Sequence, residues 1–277
     1  MMTHHSPLHA TPELARRVDR AEIDFCALAL AHSGRSDAGS LEAGGGRGLY
    51  GGPGSPLNKV LGLGLGADVA DADLAALEAF YRDRGAPVQI ELCPLAQPNV
   101  AARLSSRGYI VQAFENELAC RIGTPAPVPQ ISGVRVARTT TDQDDLWIRV
   151  TSLGFAVPEG STMEPEPGAF EKVADVMRQF THPQLRRYLA WVEGEPAGGA
   201  SAWVCDGVLG IAGTATVPRF RRRGVQLALT AQAVAEAGDD IDLLIATTAP
   251  GSISQRNFER LGFQVLYTRV VFVREAR

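Results

Sequence analysis

The chain has 277 residues, 45% of them hydrophobic, and a formal net charge of −4. That length fits one large domain or two of about 140 residues each, with apolar material enough for ordinary cores. The acidic balance excludes a general nucleic-acid or anionic-membrane binder, because such partners need a basic field over a whole face.

Four cysteines, Cys26, Cys93, Cys120 and Cys205, form no C-x-x-C pair and have no His at ligand spacing. They read as reduced core residues, and no metal is expected. Residues 1–17 carry His, Pro and charge where a signal peptide needs an apolar stretch, and 25–31 is too short to span a bilayer. The expected location is cytoplasmic, with no membrane partner.

Thr11-Pro-Glu-Leu opens a helix, with Thr11 as cap, Pro12 at the first helical position and an apolar stripe to about residue 32. Residues 33–55 are rich in Gly, Ser and Pro, so mobility is expected there, with only a short strand around Leu49 and Tyr50. A strand over 57–65, a helix over 71–84, a strand over 88–93, a helix over 99–107 and a long strand over 109–120 follow. Prolines at 125, 127 and 129 then mark a semi-rigid linker.

The second half gives a strand at 134–137, a helix over about 142–153 capped by Thr141, a Pro/Glu-rich loop at 157–167 and a helix at 169–180. Strands 188–192 and 199–204 form a hairpin around Glu193-Gly-Glu-Pro196. A strand at 208–217 then runs through Thr216-Val-Pro-Arg-Phe-Arg-Arg-Arg-Gly-Val-Gln226 straight into a helix. A strand at 241–246, a helix opened by the capping box Ser252-Ile-Ser-Gln255 and ended by Gly262-Phe263, and a last strand at 264–274 complete the chain.

The turn after residue 217 carries the chemistry. A strand, a basic turn ending in Gly224 and a helix opening at once leave free N–H groups at the positive end of a helix dipole, where phosphate oxygens bind. On charge alone the turn reads equally as a solvated loop. A Gly-x-x-x-x-Gly-Lys loop is absent, and Gly62-Leu-Gly-Leu-Gly66 lacks dinucleotide spacing. The spacing Arg221-x-x-Gly224-x-Gln226 resembles the acyl-CoA pyrophosphate motif of the GNAT N-acetyltransferase superfamily, Arg/Gln-x-x-Gly-x-Gly/Ala, departing only at Gln226. The element order over 134–277 and the Gly262-Phe263 landmark are similar to that family as well.

The resemblance implies an α/β fold with a mixed, mostly antiparallel sheet flanked by helices, and acetyl-CoA as co-substrate. It further implies direct transfer of the acetyl group to an amine of a small-molecule or peptide acceptor in a ternary complex. Main-chain groups of Thr214, Ala215 and Thr216 would meet the pantetheine arm, with Asn257 beside it. The N–H groups of Arg222, Arg223, Gly224, Val225, Gln226 and Leu227 would hold the pyrophosphate. Where the family often places a Tyr as proton donor stands Phe258, which leaves Tyr267 as the candidate for protonating the leaving thiolate. The alternative is a non-catalytic acyl-CoA-binding or regulatory protein; no nucleic acid is expected, and the chain would be a monomer or homodimer.

Arg107-Gly-Tyr-Ile-Val-Gln-Ala-Phe parallels Leu261-Gly-Phe-Gln-Val-Leu-Tyr-Thr, and the elements before each align at the same offset. Two tandem GNAT-like domains are therefore expected: 1–124, degenerate; a linker, 125–132; and 133–277, binding acetyl-CoA. At the place of the basic turn the first half has Gly66-Ala-Asp-Val-Ala70, with an acid and no arginine.

Overall fold

The computed structural model describes residues 8–122, 131–158 and 166–275; the expected linker up to residue 130 and loop residues 159–165 lie outside them. The elements are α1 (Pro12–His32), β1 (Gly39–Ala43), β2 (Gly46–Tyr50), β3 (Lys59–Leu61), α2 (Asp71–Arg82), β4 (Val88–Leu92), α3 (Asn99–Ser106) and β5 (Ile110–Arg121). There follow β6 (Val134–Arg138), a 3-10 turn, α4 (Asp144–Phe155), α5 (Ala169–Gln179), β7 (Arg186–Val192), β8 (Glu195–Cys205), β9 (Val208–Thr216), a second 3-10 turn, α6 (Val225–Ala235), β10 (Leu243–Thr248), α7 (Ile253–Arg260) and β11 (Gln264–Arg274). The mixed, mostly antiparallel sheet and flanking helices are the expected class. No helix of the described residues is long and apolar enough to cross a membrane.

The chain forms two compact units, and their division does not follow the two halves of the sequence. One holds His9–Glu117 together with the strand from Val265 onward; the other runs from Leu118 to Gln264. Within the first unit the strand order is β1-β2-β3-β4-β11-β5, with residues 110–117 of β5. Strand β11 pairs antiparallel with β4, Val270 facing Leu92 and Arg274 facing Val88. The last strand, expected to close the second half, thus completes the core of the first, where Phe272 packs with Leu74, Leu77, Ile90 and Leu104.

Residues 33–55 are more ordered than their composition suggests. They hold the β1–β2 hairpin, with Ala43 facing Gly46 and Leu49 fully buried. The glycines of β2 serve close approach: a Cβ on Gly46 would lie 2.4 Å from the Leu61 carbonyl oxygen, and one on Gly48 would lie 2.9 Å from Leu77 Cδ2. Strand β3 is shorter than the expected 57–65, because Gly62 and Gly64 take positive φ and turn the chain away. The expected cap Thr141 instead begins a 3-10 turn, Thr141–Gln143, where Thr140 N–H donates to Gln143 Oε1 at 3.3 Å, and Gln143 is the N-cap of α4.

Charge is buried at the centre of the first unit. Helix α1 places Asp19 and Glu22 on its inner face, and β11 brings Arg269, which is 0% exposed, against both. Arg269 Nη2 donates to Asp19 Oδ1 at 2.6 Å, and Nη1 donates to Glu22 Oε2. Glu117 Oε2 lies 3.4 Å and Glu91 Oε2 3.6 Å from Nη1. Lys59 Nζ donates to Glu22 at 2.7 Å and to Glu91 at 3.2 Å. Burial pushes the Glu22 carboxyl up, but Arg269 and Lys59 overrule it and hold it down at about 2. Glu115 goes the other way: burial, then the charge of Glu91, raise it from 4.5 to about 7.

Arg269→Met leaves Asp19 and Glu22 buried without their guanidinium. It is expected to cost about 3–5 kcal/mol of unfolding free energy, read by urea denaturation at pH 7. Because the folded carboxyl of Glu115 is raised, its contribution is fully present below its unfolded value of 4.5 and lost as pH rises through about 7. Glu115→Gln is therefore expected to stabilise the protein at pH 8 by on the order of 2 kcal/mol, and to change little at pH 4. Urea midpoints at the two pH values check this.

Candidate active site

The site is built where pairing in the second unit stops. Its described strands run β10-β9-β8-β7-β6, and β9 and β10 are parallel. Their register covers only Val208, Leu209 and Gly210 opposite Leu243, Leu244 and Ile245. Beyond Gly210, β9 continues to Thr216 and β10 continues to Thr248 with no partner in each other. The backbone edge of Ile211–Thr216 that faces away from β8 is thereby open to an extended, amide-bearing ligand, as an unpaired strand edge is open to an added strand.

A bulge shapes that edge. Ser201 faces Ala212 while Gly199 faces Ala215, so a step of two on β8 matches a step of three on β9. Gly213, with φ +60°, supplies the extra residue. Helix α4 lies flush on this segment because its last turn has Gly154: a Cβ there would meet Ala215 Cβ at 2.7 Å and Thr216 N at 3.0 Å. The hydroxyls of Thr214 and Thr248 are buried with no hydrogen-bond partner among the described residues.

The basic turn follows directly. A 3-10 turn over Pro218–Phe220 buries Phe220, and the chain then takes positive φ at Arg222 (+64°) and Gly224 (+77°) before α6 begins at Val225. A left-handed arginine is costly and persists where surrounding structure demands it. Positive φ at Arg222 and Gly224, alternating with negative φ at Arg221 and Arg223, is the backbone pattern of an anion-binding nest. Among the described residues, the N–H groups of 222–227 have no hydrogen-bond acceptor.

The arginines themselves mostly hold the turn in place. Arg221 donates to the carbonyls of Gly154 (3.0 Å), Val157 (2.7 Å) and Pro158 (2.8 Å), closing the C-terminal end of α4. Arg219 pairs with Glu195 and Arg223 with Glu193, both on the surface around the β7–β8 turn. Such exposed pairs contribute about 0–1 kcal/mol each. Gln226, the departure from the family spacing, turns its side chain to α7: Nε2 donates to Ser254 Oγ at 2.8 Å, and Oε1 accepts from Asn257 Nδ2 at 2.6 Å. The backbone at 226 is left clear.

The segment between β3 and α2 of the first unit makes local hydrogen bonds. Gly62 N–H donates to Asp19, Gly64 N–H to the Gly44 carbonyl and Ala70 N–H to Asp73 Oδ2, while Asp71 occupies the first turn of α2.

Of the residues expected at the site, the structure gathers Thr214, Ala215 and Thr216, the turn 222–227, and Asn257 within one unit. Tyr267 is not among them. It lies on β11 in the other unit, where its hydroxyl donates to Asp19 Oδ1 at 2.9 Å. Burial, then the Asp19 charge, push that hydroxyl well above the usual range. Phe258 is 4% exposed and packs edge-on against Phe263 at 5.0 Å. Strands β9 and β10 carry no titratable side chain. Gly154, Gly213 and the Gln226–Asn257 link were missed in the sequence; a glycine in the last turn of an amphipathic helix and another within an apolar strand were the available signals.

Residues 157–263 match the family model described as "Acetyltransferase (GNAT) family". This segment is similar to the GNAT acetyltransferases. A GCN5-related N-acetyltransferase from Kribbella flavida is similar in structure at 21% identity, with 94% of this chain and 95% of that chain covered and a TM-score of 0.67. A tandem GNAT protein from the clavulanic acid biosynthesis pathway is similar at 14% identity, over 98% of each chain, with a TM-score of 0.62. A conserved protein of unknown function from Staphylococcus epidermidis aligns at 12% identity over 87% of this chain and 95% of its own, with a TM-score of 0.60. At these identities the likeness is one of fold. The comparison with curated proteins gives no match.

Arg221→Ala removes three charge-assisted hydrogen bonds from the end of α4 and is expected to lower stability by about 1.5–3 kcal/mol. A fall in the urea midpoint checks it.

Proposed function

We propose that the chain is an N-acetyltransferase that moves the acetyl group of acetyl-CoA to a primary amine of a small-molecule or peptide acceptor, by direct attack in a ternary complex. The observation that carries this reading is the presence of two sets of main-chain groups in one unit: the β9 edge beyond Gly210, and the N–H donors at 222–227. The first set suits the amides of pantetheine and the second a diphosphate; GNAT proteins use acetyl-CoA as co-substrate.

In this reading the N–H groups of Arg222 to Leu227 bind the diphosphate, with the dipole of α6 favouring its charge. Main-chain groups of Thr214, Ala215 and Thr216 pair with the pantetheine arm. An N–H on the bulged edge polarises the thioester carbonyl, the kind of donor whose loss costs roughly 10²–10³ in rate. Asn257 lies beside the arm. With no titratable group on β9 or β10, and Tyr267 engaged with Asp19, proton transfer falls to water or to the acceptor's own groups, and most of the acceleration comes from positioning. The first unit has an acid, Asp68, and no arginine at the corresponding turn, which disfavours a diphosphate there.

A second reading, a non-catalytic acyl-CoA binder, is favoured by the buried Phe258. Free-thiol release from acetyl-CoA across a panel of primary amines separates the two: release on at least one amine supports transfer, and saturable CoA binding with no release on any supports the binder. Gly224→Asp places a Cβ 2.8 Å from Ile131 Cγ2 at a positive φ and adds an anion to the turn. It is expected to weaken CoA binding by roughly 100-fold, about 2.7 kcal/mol, with circular dichroism unchanged. Wild-type affinity in that variant, measured by calorimetry, overturns the assignment of the turn.

A further inference from the structure

Gln226 stands where the family motif has Gly or Ala, residues that carry no side chain able to reach another helix. In this chain the amide is used at both ends. Oε1 accepts from Asn257 Nδ2 at 2.6 Å and Nε2 donates to Ser254 Oγ at 2.8 Å. These two bonds fix which end of the Gln226 amide faces which partner. Asn257 Oδ1 accepts from Arg260 Nη1 at 3.2 Å, so the Asn257 amide is oriented too, with one Nδ2 hydrogen left over. Both bonds to Gln226 are part-buried, where water competes less for them.

The main chain of the same residue belongs to the turn. Gln226 N–H is among the donors with no acceptor among the described residues, one step inside α6. One residue therefore contributes backbone to the diphosphate end of the site and side chain to the helix that carries Asn257. Phe258, next to Asn257, is buried, so α7 is anchored on its inner face and Asn257 has little freedom beyond what Gln226 allows.

We propose that Gln226 is a positioning residue that ties the diphosphate turn to Asn257, holding the amide of Asn257 oriented for the pantetheine arm. The proposal rests on the coenzyme reading given above. A purely structural brace between α6 and α7 would weaken every ligand of the site alike. The coupling instead predicts a loss confined to ligands that contain the pantetheine arm.

The test is calorimetric titration of the full chain with two probes, CoA and 3′-phosphoadenosine 5′-diphosphate, which keeps the diphosphate and lacks the arm. Gln226→Ala and the isosteric Gln226→Met are expected to bind the nucleotide within about twofold of wild type. Both are expected to bind CoA roughly 5- to 10-fold more weakly. Asn257→Ala is expected to show the same selective loss, and the Gln226→Ala/Asn257→Ala double variant to lose no more than either alone. Equal losses for both probes, no loss for either, or single losses that multiply in the double variant overturn the coupling while leaving the coenzyme site in place. Failure of wild type to bind either probe overturns the coenzyme reading and the coupling with it.

Discussion

The structure depends most on the burial of Arg269. A guanidinium with no exposed surface is tolerable only where several acceptors surround it, and α1, β4 and β5 supply Asp19, Glu22, Glu91 and Glu117 for that purpose. Those carboxylates could not be buried without the guanidinium either. The consequence is topological: because the cation sits on β11 and its partners lie between residues 19 and 117, the C-terminal strand is drawn into the sheet of the first unit, beside β4. The apolar side chains of β11 would fit many sheets; the charge fits one.

The second unit follows the opposite logic, since its important feature is an interaction that is not made. Three residue pairs join β9 and β10, and past them both backbones run on without each other. The divergence is held by groups with no direct chemical part: the Gly213 bulge, the close seating of α4 through Gly154, and Arg221 tied to three carbonyls at the end of α4. A site made of main-chain donors tolerates much variation in side chains, provided that this scaffold keeps its geometry.

Much of this was legible in the sequence, because the signals were local. Thr11 caps α1 through Leu14 N–H at 3.2 Å, Ser252 caps α7 through Gln255 N–H at 3.0 Å, and Arg221-x-x-Gly224 turns where its spacing indicated. Long-range electrostatics were not legible. Nothing local in the sequence pairs Asp19 and Glu22 with Arg269, which is some 250 residues away. The β1–β2 hairpin was hidden for a different reason. Gly46 and Gly48 suggest looseness by composition, whereas in the fold they mark backbone pressed against Leu61 and side chain against Leu77.

The position of β11 also sets an order of events during synthesis. Domains usually fold as the chain emerges, N-terminal first. Here the earlier unit lacks one of its strands, and its cluster of acids lacks its chief cation, until β11 has left the ribosome. The later unit, ending at Gln264, has all its own segments sooner. The half translated first is therefore the half completed last.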